Sequence, residues 1–120
     1  MIKVVFNMKK IECFIRPEKL EHVKKGLFKL GIRRMNIYEV KGHGNQRGIK
    51  LTGRAGDYIV EWIDKLKIEI VVSEDKNINE IIDVIIQNAK TGKPGDGKIF
   101  IIPVIDAIRI RTKERGENML

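Results

Sequence analysis

The sequence predicts a single α+β domain built from two βαβ units around one hydrophobic core. Three observations carry this expectation. The chain has only 120 residues, a strand–helix–strand pattern occurs in it twice, and one long glycine-rich stretch separates the two occurrences. A chain of this length supplies one core rather than two.

Lys10–Arg16 (KIECFIR) alternates and is rich in β-formers, so it reads as the first strand. Pro17 stops it and suits the first turn of a helix. Leu20, Val23, Leu27 and Leu30 then recur at helical spacing, and Gly31 follows as a C-terminal breaker. Asn36–Val40 (NIYEV) is the second strand. From Gly42 to Gly56 there are five glycines and almost nothing that could be core, which reads as a structureless loop. A loop of that length in a compact domain is usually functional. Lys67–Val72 (KIEIVV) is the third strand. Asn77 is placed to cap a second helix with Glu80 three residues on, and Ile78, Ile81, Ile82, Ile85 and Ala89 form its apolar stripe. Thr91–Gly97 is a second glycine loop, and Lys98–Val104 (KIFIIPV) is the last strand.

Four antiparallel strands with two helices on one face make a ferredoxin-like arrangement. Stretches such as IEIVV and IFIIPV look apolar on both sides, so the open face of the sheet is expected to be covered, most simply by oligomerisation. Trp62 and Ile63 are candidates for that interface, although a lone aromatic more often belongs to the core.

Hydrophobic residues make up 42% of the chain and charged residues 33%, which excludes a disordered chain. No apolar run approaches the roughly 20 residues that span a bilayer. The opening MIKVVFNMKK lacks a signal-peptide h-region, so the cytoplasm is the expected compartment. Residues 1–7 read as an extension ahead of Met8, or a start assigned too early, and residues 112–120 as a C-terminal loop and tail. The single cysteine, Cys13, cannot pair within the chain and reads as a buried structural thiol.

The net charge is +8, and its placement says more than its sum. Four basic residues and no acid lie between Lys41 and Arg54, while Arg109, Arg111, Lys113 and Arg115 crowd the C-terminus. Both stretches flank glycine-rich loops, which favours discrete phosphate or carboxylate contacts over a diffuse nucleic-acid face. Gly92–Lys98 spells G-x-x-x-x-G-K, but Ile99 stands where a P-loop needs a hydroxyl, and a strand follows where it needs a helix. What remains is a turn whose backbone N–H groups can approach an anion at Gly95 and Gly97, or simply a helix-to-strand connection. Gly42-His43-Gly44-Asn45-Gln46 opens no helix and is not a dinucleotide fingerprint. His22, on an exposed helix face, and His43 lack partners at metal spacing. Arg109-Ile110-Arg111 alternates, which places both guanidiniums on one side of an extended segment, where they suit polyphosphate or simply charge an edge strand. No nucleophile–base pair stands out, so no catalytic residue is expected and the chain does not read as an enzyme.

The order of these pieces resembles the PII nitrogen-regulatory family from Met8 to about Glu117. The match is carried by IRPEKL (Ile15–Leu20), EVKGHGNQRG (Glu39–Gly48), KIEIVV, and TGKPGDGKIF (Thr91–Phe100) with RIRT (Arg109–Thr112). The resemblance implies a cytoplasmic homotrimer with three clefts between neighbouring subunits. It implies competing ATP and ADP at Gly42, His43, Gly44, Gln46, Gly95, Asp96, Gly97, Lys98, Arg109 and Arg111. It implies Mg²⁺ at Gln46, and 2-oxoglutarate at Gln46, Gly48 and Lys65. Residues 43–57 correspond to an effector loop, and Arg47 and Arg54 within it, with Tyr58 directly after it, would meet an ammonium transporter or a nitrogen-metabolism enzyme. Membrane contact would come only through a transporter partner. The loop departs from the family pattern. Gly53-Arg54-Ala55-Gly56-Asp57-Tyr58 lacks the first tyrosine of the family signature, and Asn45 stands where many members have Arg. Tyr58 is therefore expected to escape uridylylation. The rival from another class is a basic ferredoxin-like nucleic-acid-binding domain. It is disfavoured because such sheets present stacking aromatics and only 6% of this chain is aromatic.

Overall fold

In chain order the elements are β1 (Met8–Ile15), a 3-10 turn (Pro17–Lys19), α1 (Leu20–Lys29), β2 (Asn36–Gly42), β3 (Ile49–Gly53), β4 (Gly56–Val60), β5 (Ile63–Ser73), α2 (Ile78–Ala89) and β6 (Lys98–Val104). The structure is a computed structural model that describes residues 8–43, 49–53, 56–60, 62–117 and 120. β2, β5, β1 and β6 lie side by side in that order in one antiparallel sheet, the expected ferredoxin-like topology.

Alternation along the two central strands decides which side chains meet the helices. Ile11, Cys13 and Ile15 of β1 are buried opposite Ile70, Ile68 and Leu66 of β5. Onto this face α1 lays Val23 and Leu27, and α2 lays Ile81, Ile85 and Ala89. Both helices end as the sequence indicates. The Ile32 amide donates to Leu27 O and the Gly31 amide to Phe28 O, the paired bonds of a Schellman cap. At the start of α2, Asn77 Oδ1 accepts from the Glu80 amide at 3.1 Å. Cys13 is buried as expected, and desolvation pushes its thiol up to about 11.

Four expectations are corrected. The stretch read as a structureless loop contains β3 and β4, which pair antiparallel from Ile49↔Val60 to Gly53↔Gly56. The glycine count concealed a short alternating run (Ile-Lys-Leu-Thr) and a β-rich partner (Asp-Tyr-Ile-Val) that can close a hairpin. β5 starts at Ile63 rather than Lys67, because β2 continues to Gly42 and pairs Val40↔Lys65, Lys41↔Asp64 and Gly42↔Ile63. Arg109-Ile110-Arg111 is not extended. Hydrogen bonds from the Lys113 amide to Arg109 O and from the Arg109 amide to Glu114 O curl it into a turn closed by an Ile108↔Arg115 bridge. Trp62 is 59% exposed in the single chain rather than core, and its ring lies 5.2 Å from that of His43.

The open face of the sheet is more mixed than its sequences indicate. Phe14 and Phe100 meet edge to face at 6.0 Å, but the middle carries Lys10, Glu12, Lys67 and Glu69. Glu12 and Glu69 face each other in the ladder, and Lys10 Nζ lies 3.4 Å from one and 3.8 Å from the other. Lys67 sits over the Tyr38 ring at 4.4 Å. Apolar and charged side chains thus share this surface. No helix among the described residues is long and apolar enough to cross a membrane.

Candidate functional site

The antiparallel order brings the end of β1 and the starts of β5 and β6 to one edge of the sheet, where β2 also ends. The loop from Thr91 to Gly97 is carried to the same edge, because it leads directly into β6. A cleft of about 660 Å³ opens there. It is lined by Phe14, Val40, Lys41, Gly42, His43, Ile63, Lys65, Lys93, Gly95, Asp96, Gly97, Lys98 and Phe100. Seven of the residues singled out in the sequence therefore converge: Gly42, His43, Lys65, Gly95, Asp96, Gly97 and Lys98.

The loop is held from several sides. The Asp96 carboxylate accepts from the Thr91 amide at 2.8 Å, the Thr91 hydroxyl at 2.5 Å and the Gly92 amide at 2.9 Å. It also pairs with Arg16 Nε at 3.0 Å. The Thr91 hydroxyl above all, with these amides and the guanidinium, holds the Asp96 carboxyl well below the usual carboxylate range, against a desolvation effect that raises it. Arg16 Nη2 donates to Pro94 O at 2.7 Å, and Lys65 Nζ donates to Gly95 O. Burial, followed by the positive charge of Arg16, lowers the Lys65 pKa from its ordinary value, while Asp96 and Glu18 oppose that shift.

Gly97 is required by close approach and Gly95 by its positive φ. A Cβ on Gly97, at φ +106°, would stand 1.7 Å from the carbonyl oxygen of Phe14, which is fixed in the central strand. A Cβ on Gly95, at φ +97°, would lie 3.3 Å from Arg16 Nη2 and 3.6 Å from Lys65 Nζ. Two cations therefore reach the same short piece of backbone from the body of the protein. Lys65 lines the cleft together with Lys93 and Lys98, which makes it an anion site by charge, while the Arg16 guanidinium is engaged by Asp96 and Pro94 O.

Arg109 and Arg111 do not line this cleft within one chain. They belong to the C-terminal turn, where Arg109 Nη1 lies 3.5 Å from Glu114 Oε1. Gly44, Gln46, Arg47, Gly48 and Arg54 lie outside the described residues, and Tyr58 falls in β4 opposite Leu51. Among the described residues, no group of three His, Cys, Asp or Glu side chains could hold a metal ion. Sequence reasoning missed Arg16. The signal available was its place as the last residue of the predicted first strand, two positions beyond Phe14, which pairs with Lys98.

The family model described as nitrogen regulatory protein P-II matches residues 8–114. A nitrogen regulatory protein P-II of Porphyra purpurea is 51% identical over 113 residues, covering 94% of this chain and 100% of the relative. Proteins of the same name from Microchaete diplosiphon and Azospirillum brasilense are 50% identical over 109 residues and 46% identical over 113. These alignments cover 91% and 94% of this chain, and 96% and 100% of the relatives. The crystal structure of Arabidopsis thaliana PII bound to citrate superposes with a TM-score of 0.77 at 37% identity, covering 96% of this chain and 94% of that one.

Proposed function

Because the chain belongs to the nitrogen regulatory protein P-II family, and is a signalling protein rather than an enzyme, we propose that it binds ATP or ADP together with 2-oxoglutarate and reports their levels to target proteins through residues 43–57. The observation that carries this reading is a cleft lined by Lys65, Lys93 and Lys98 together with the turn glycines Gly95 and Gly97. Such a site suits two anionic ligands bound side by side. The Arabidopsis relative bound to citrate supports a small polycarboxylate as one of them.

In this reading Gly42, His43, Gly44, Gly95, Gly97 and Lys98 take the nucleotide. Arg109 and Arg111 would reach it from the neighbouring subunit of a homotrimer, which accounts for their distance from the cleft in a single chain. A divalent ion would be carried chiefly by the nucleotide phosphates, with the Gln46 amide oxygen as its protein ligand. Magnesium prefers one or two protein ligands plus phosphate oxygens, so a site without a carboxylate cage fits it. 2-Oxoglutarate would take Gln46, Gly48 and Lys65, while Arg16 holds the neighbouring loop through Asp96 and Pro94 O. The basic side chains offset the repulsion between two anions in one cleft. Arg47, Arg54 and Tyr58 are left for the target, an ammonium transporter or a nitrogen-assimilation enzyme. The nucleic-acid reading has no support on the open sheet face, where Phe14 and Phe100 pack on each other and Lys67 covers Tyr38.

Calorimetric titration tests the reading. ATP should bind alone, and 2-oxoglutarate should bind only beside ATP with Mg²⁺. Equal binding of 2-oxoglutarate beside ADP, or without Mg²⁺, would refute the shared site. Linkage requires a target to oppose 2-oxoglutarate by the same factor by which 2-oxoglutarate opposes the target. Arg54→Glu should abolish recruitment to membranes that contain the transporter while leaving ATP affinity intact.

A further inference from the structure

The structure assigns Asp96 to positioning rather than to ligand contact: its carboxylate is the loop's own anion, filling one set of backbone donors and thereby aiming another. The inference rests on the nucleotide reading above only for its consequence, not for its geometry.

An acid inside a loop that receives polyphosphate has the wrong charge for direct contact. Its hydrogen bonds resolve the conflict. Oδ2 accepts from the Thr91 and Gly92 amides, and Oδ1 from the Thr91 hydroxyl and Arg16 Nε. A carboxylate offers about four lone-pair sites, and four donors occupy them here. None is left for a metal ion or a ligand hydroxyl, and the Arg16 charge balances that of the acid. The Thr91 and Gly92 amides are spent in the same way, so they are not part of any anion site.

The remaining amides are aimed by their carbonyls. In a trans peptide the N–H points opposite to the C=O, and no peptide bond among the described residues is cis. Pro94 O is held by Arg16 and Gly95 O by Lys65. The Gly95 and Asp96 amides must then point away from those two cations. Asp96 fixes Arg16, Arg16 fixes the Pro94 peptide, and Gly97 is pressed against β1. The loop is thus shaped before any ligand arrives, which removes an ordering cost from binding.

Two measurements test this. The first is the affinity for ATP, with Mg²⁺ and with the metal chelated, of the parent, Asp96→Asn, Thr91→Val and Thr91→Ser. Positioning predicts that Asp96→Asn and Thr91→Val each weaken binding about tenfold by the same factor with and without Mg²⁺, while Thr91→Ser restores it. If Asp96 touched the metal, the loss would be confined to the Mg²⁺ arm. If it merely faced the phosphates, its neutralisation would tighten metal-free binding. Either result, or unchanged affinity, overturns the assignment. The second measurement is amide hydrogen exchange without ligand. The Thr91 and Gly92 amides should be protected in the parent and lose protection in Asp96→Asn, with α2 unchanged. Unprotected amides in the parent overturn the assignment. A parent that fails to bind ATP refutes the nucleotide reading instead, and the exchange experiment still decides the role of Asp96.

Discussion

Arg16 and Asp96 stand 80 positions apart in the chain and meet at 3.0 Å between Nε and Oδ1. The contact ties the end of the first strand to the loop that feeds the last one. It forms only because β6 returns beside β1 in antiparallel register, with Phe14 opposite Lys98. The same guanidinium holds Pro94 O and stands beside Lys65, so one side chain joins the loop to the anion site.

Replacing Lys65 should weaken the carboxylate ligand more than the nucleotide, whereas replacing Arg16, which holds Asp96 and Pro94 O, should weaken the nucleotide as well. Lys65→Ala should cost about 1–3 kcal/mol of 2-oxoglutarate affinity, the scale of a charge-assisted hydrogen bond. Arg16→Lys should lose part of the nucleotide affinity that Arg16→Ala loses, because it keeps the charge without the fork that holds Asp96 and Pro94 O. Calorimetry beside Mg-ATP reads each value. An unchanged Lys65→Ala would remove that residue from the site.

The same ligand should respond to alkaline pH earlier than an ordinary lysine allows. Protonated Lys65 attracts an anion and neutral Lys65 does not. Its pKa in the folded protein is lowered from the ordinary 10.5, first by burial and then by Arg16. Affinity is thus complete below that lowered value and is lost as pH rises through it. A bound anion favours the protonated form, so Lys65 keeps its proton to higher pH in the complex than in the free protein. Titrations at increasing pH should show 2-oxoglutarate binding decline before pH 10.5, with Lys65→Arg holding on further.

Gly97→Ala should be among the most damaging small substitutions in the chain. The added methyl would overlap Phe14 O, a backbone atom of the central strand, in a conformation that side chains rarely adopt. A loss of at least about 2–3 kcal/mol is expected in denaturant unfolding, from clash and backbone strain together. A variant as stable as its parent would show that the turn has another way to close.

The open sheet face should be the surface along which the homotrimer forms. Its exposed Phe100, together with the paired charges of Lys10, Glu12, Lys67 and Glu69, suits a partner that covers apolar and ionic groups at once. Light scattering should return three times the mass of one chain. Phe100→Glu, which adds an unpaired carboxylate beside Glu12, should shift the mass toward one chain. A parent that stays monomeric at micromolar concentration would refute the trimer.

Much of the fold was legible because its signals are local. Val23 and Leu27, the cap at Asn77 and the break at Gly31 depend on neighbours a few residues away. In the site, Gly95 and Gly97 announce themselves as turn glycines, whereas Gly42, His43, Lys65, Asp96 and Lys98 were legible through the family resemblance. Arg16 was hidden because its meaning lies in a contact across nearly the whole chain. The hairpin of β3 and β4 was hidden because its glycines outweighed a short alternation. Arg109 and Arg111 alternate as a strand would, yet a turn closed by Glu114 and Arg115 takes them instead. Arg16 takes its meaning from a distant partner, whereas in the hairpin and the C-terminal turn nearby backbone hydrogen bonds overrode what composition and alternation suggest.

Cys13 lies in the middle strand of the sheet, flanked by β5 and β6, with its side chain under the helices. A thiol held there in its protonated form does not meet oxidants or alkylating reagents while the sheet is intact. The protein should therefore need no reducing agent to stay native. The rate at which a thiol reagent labels it then becomes a clock for opening of the core. Since the chain has one cysteine, that clock reports a single event, without any engineered probe.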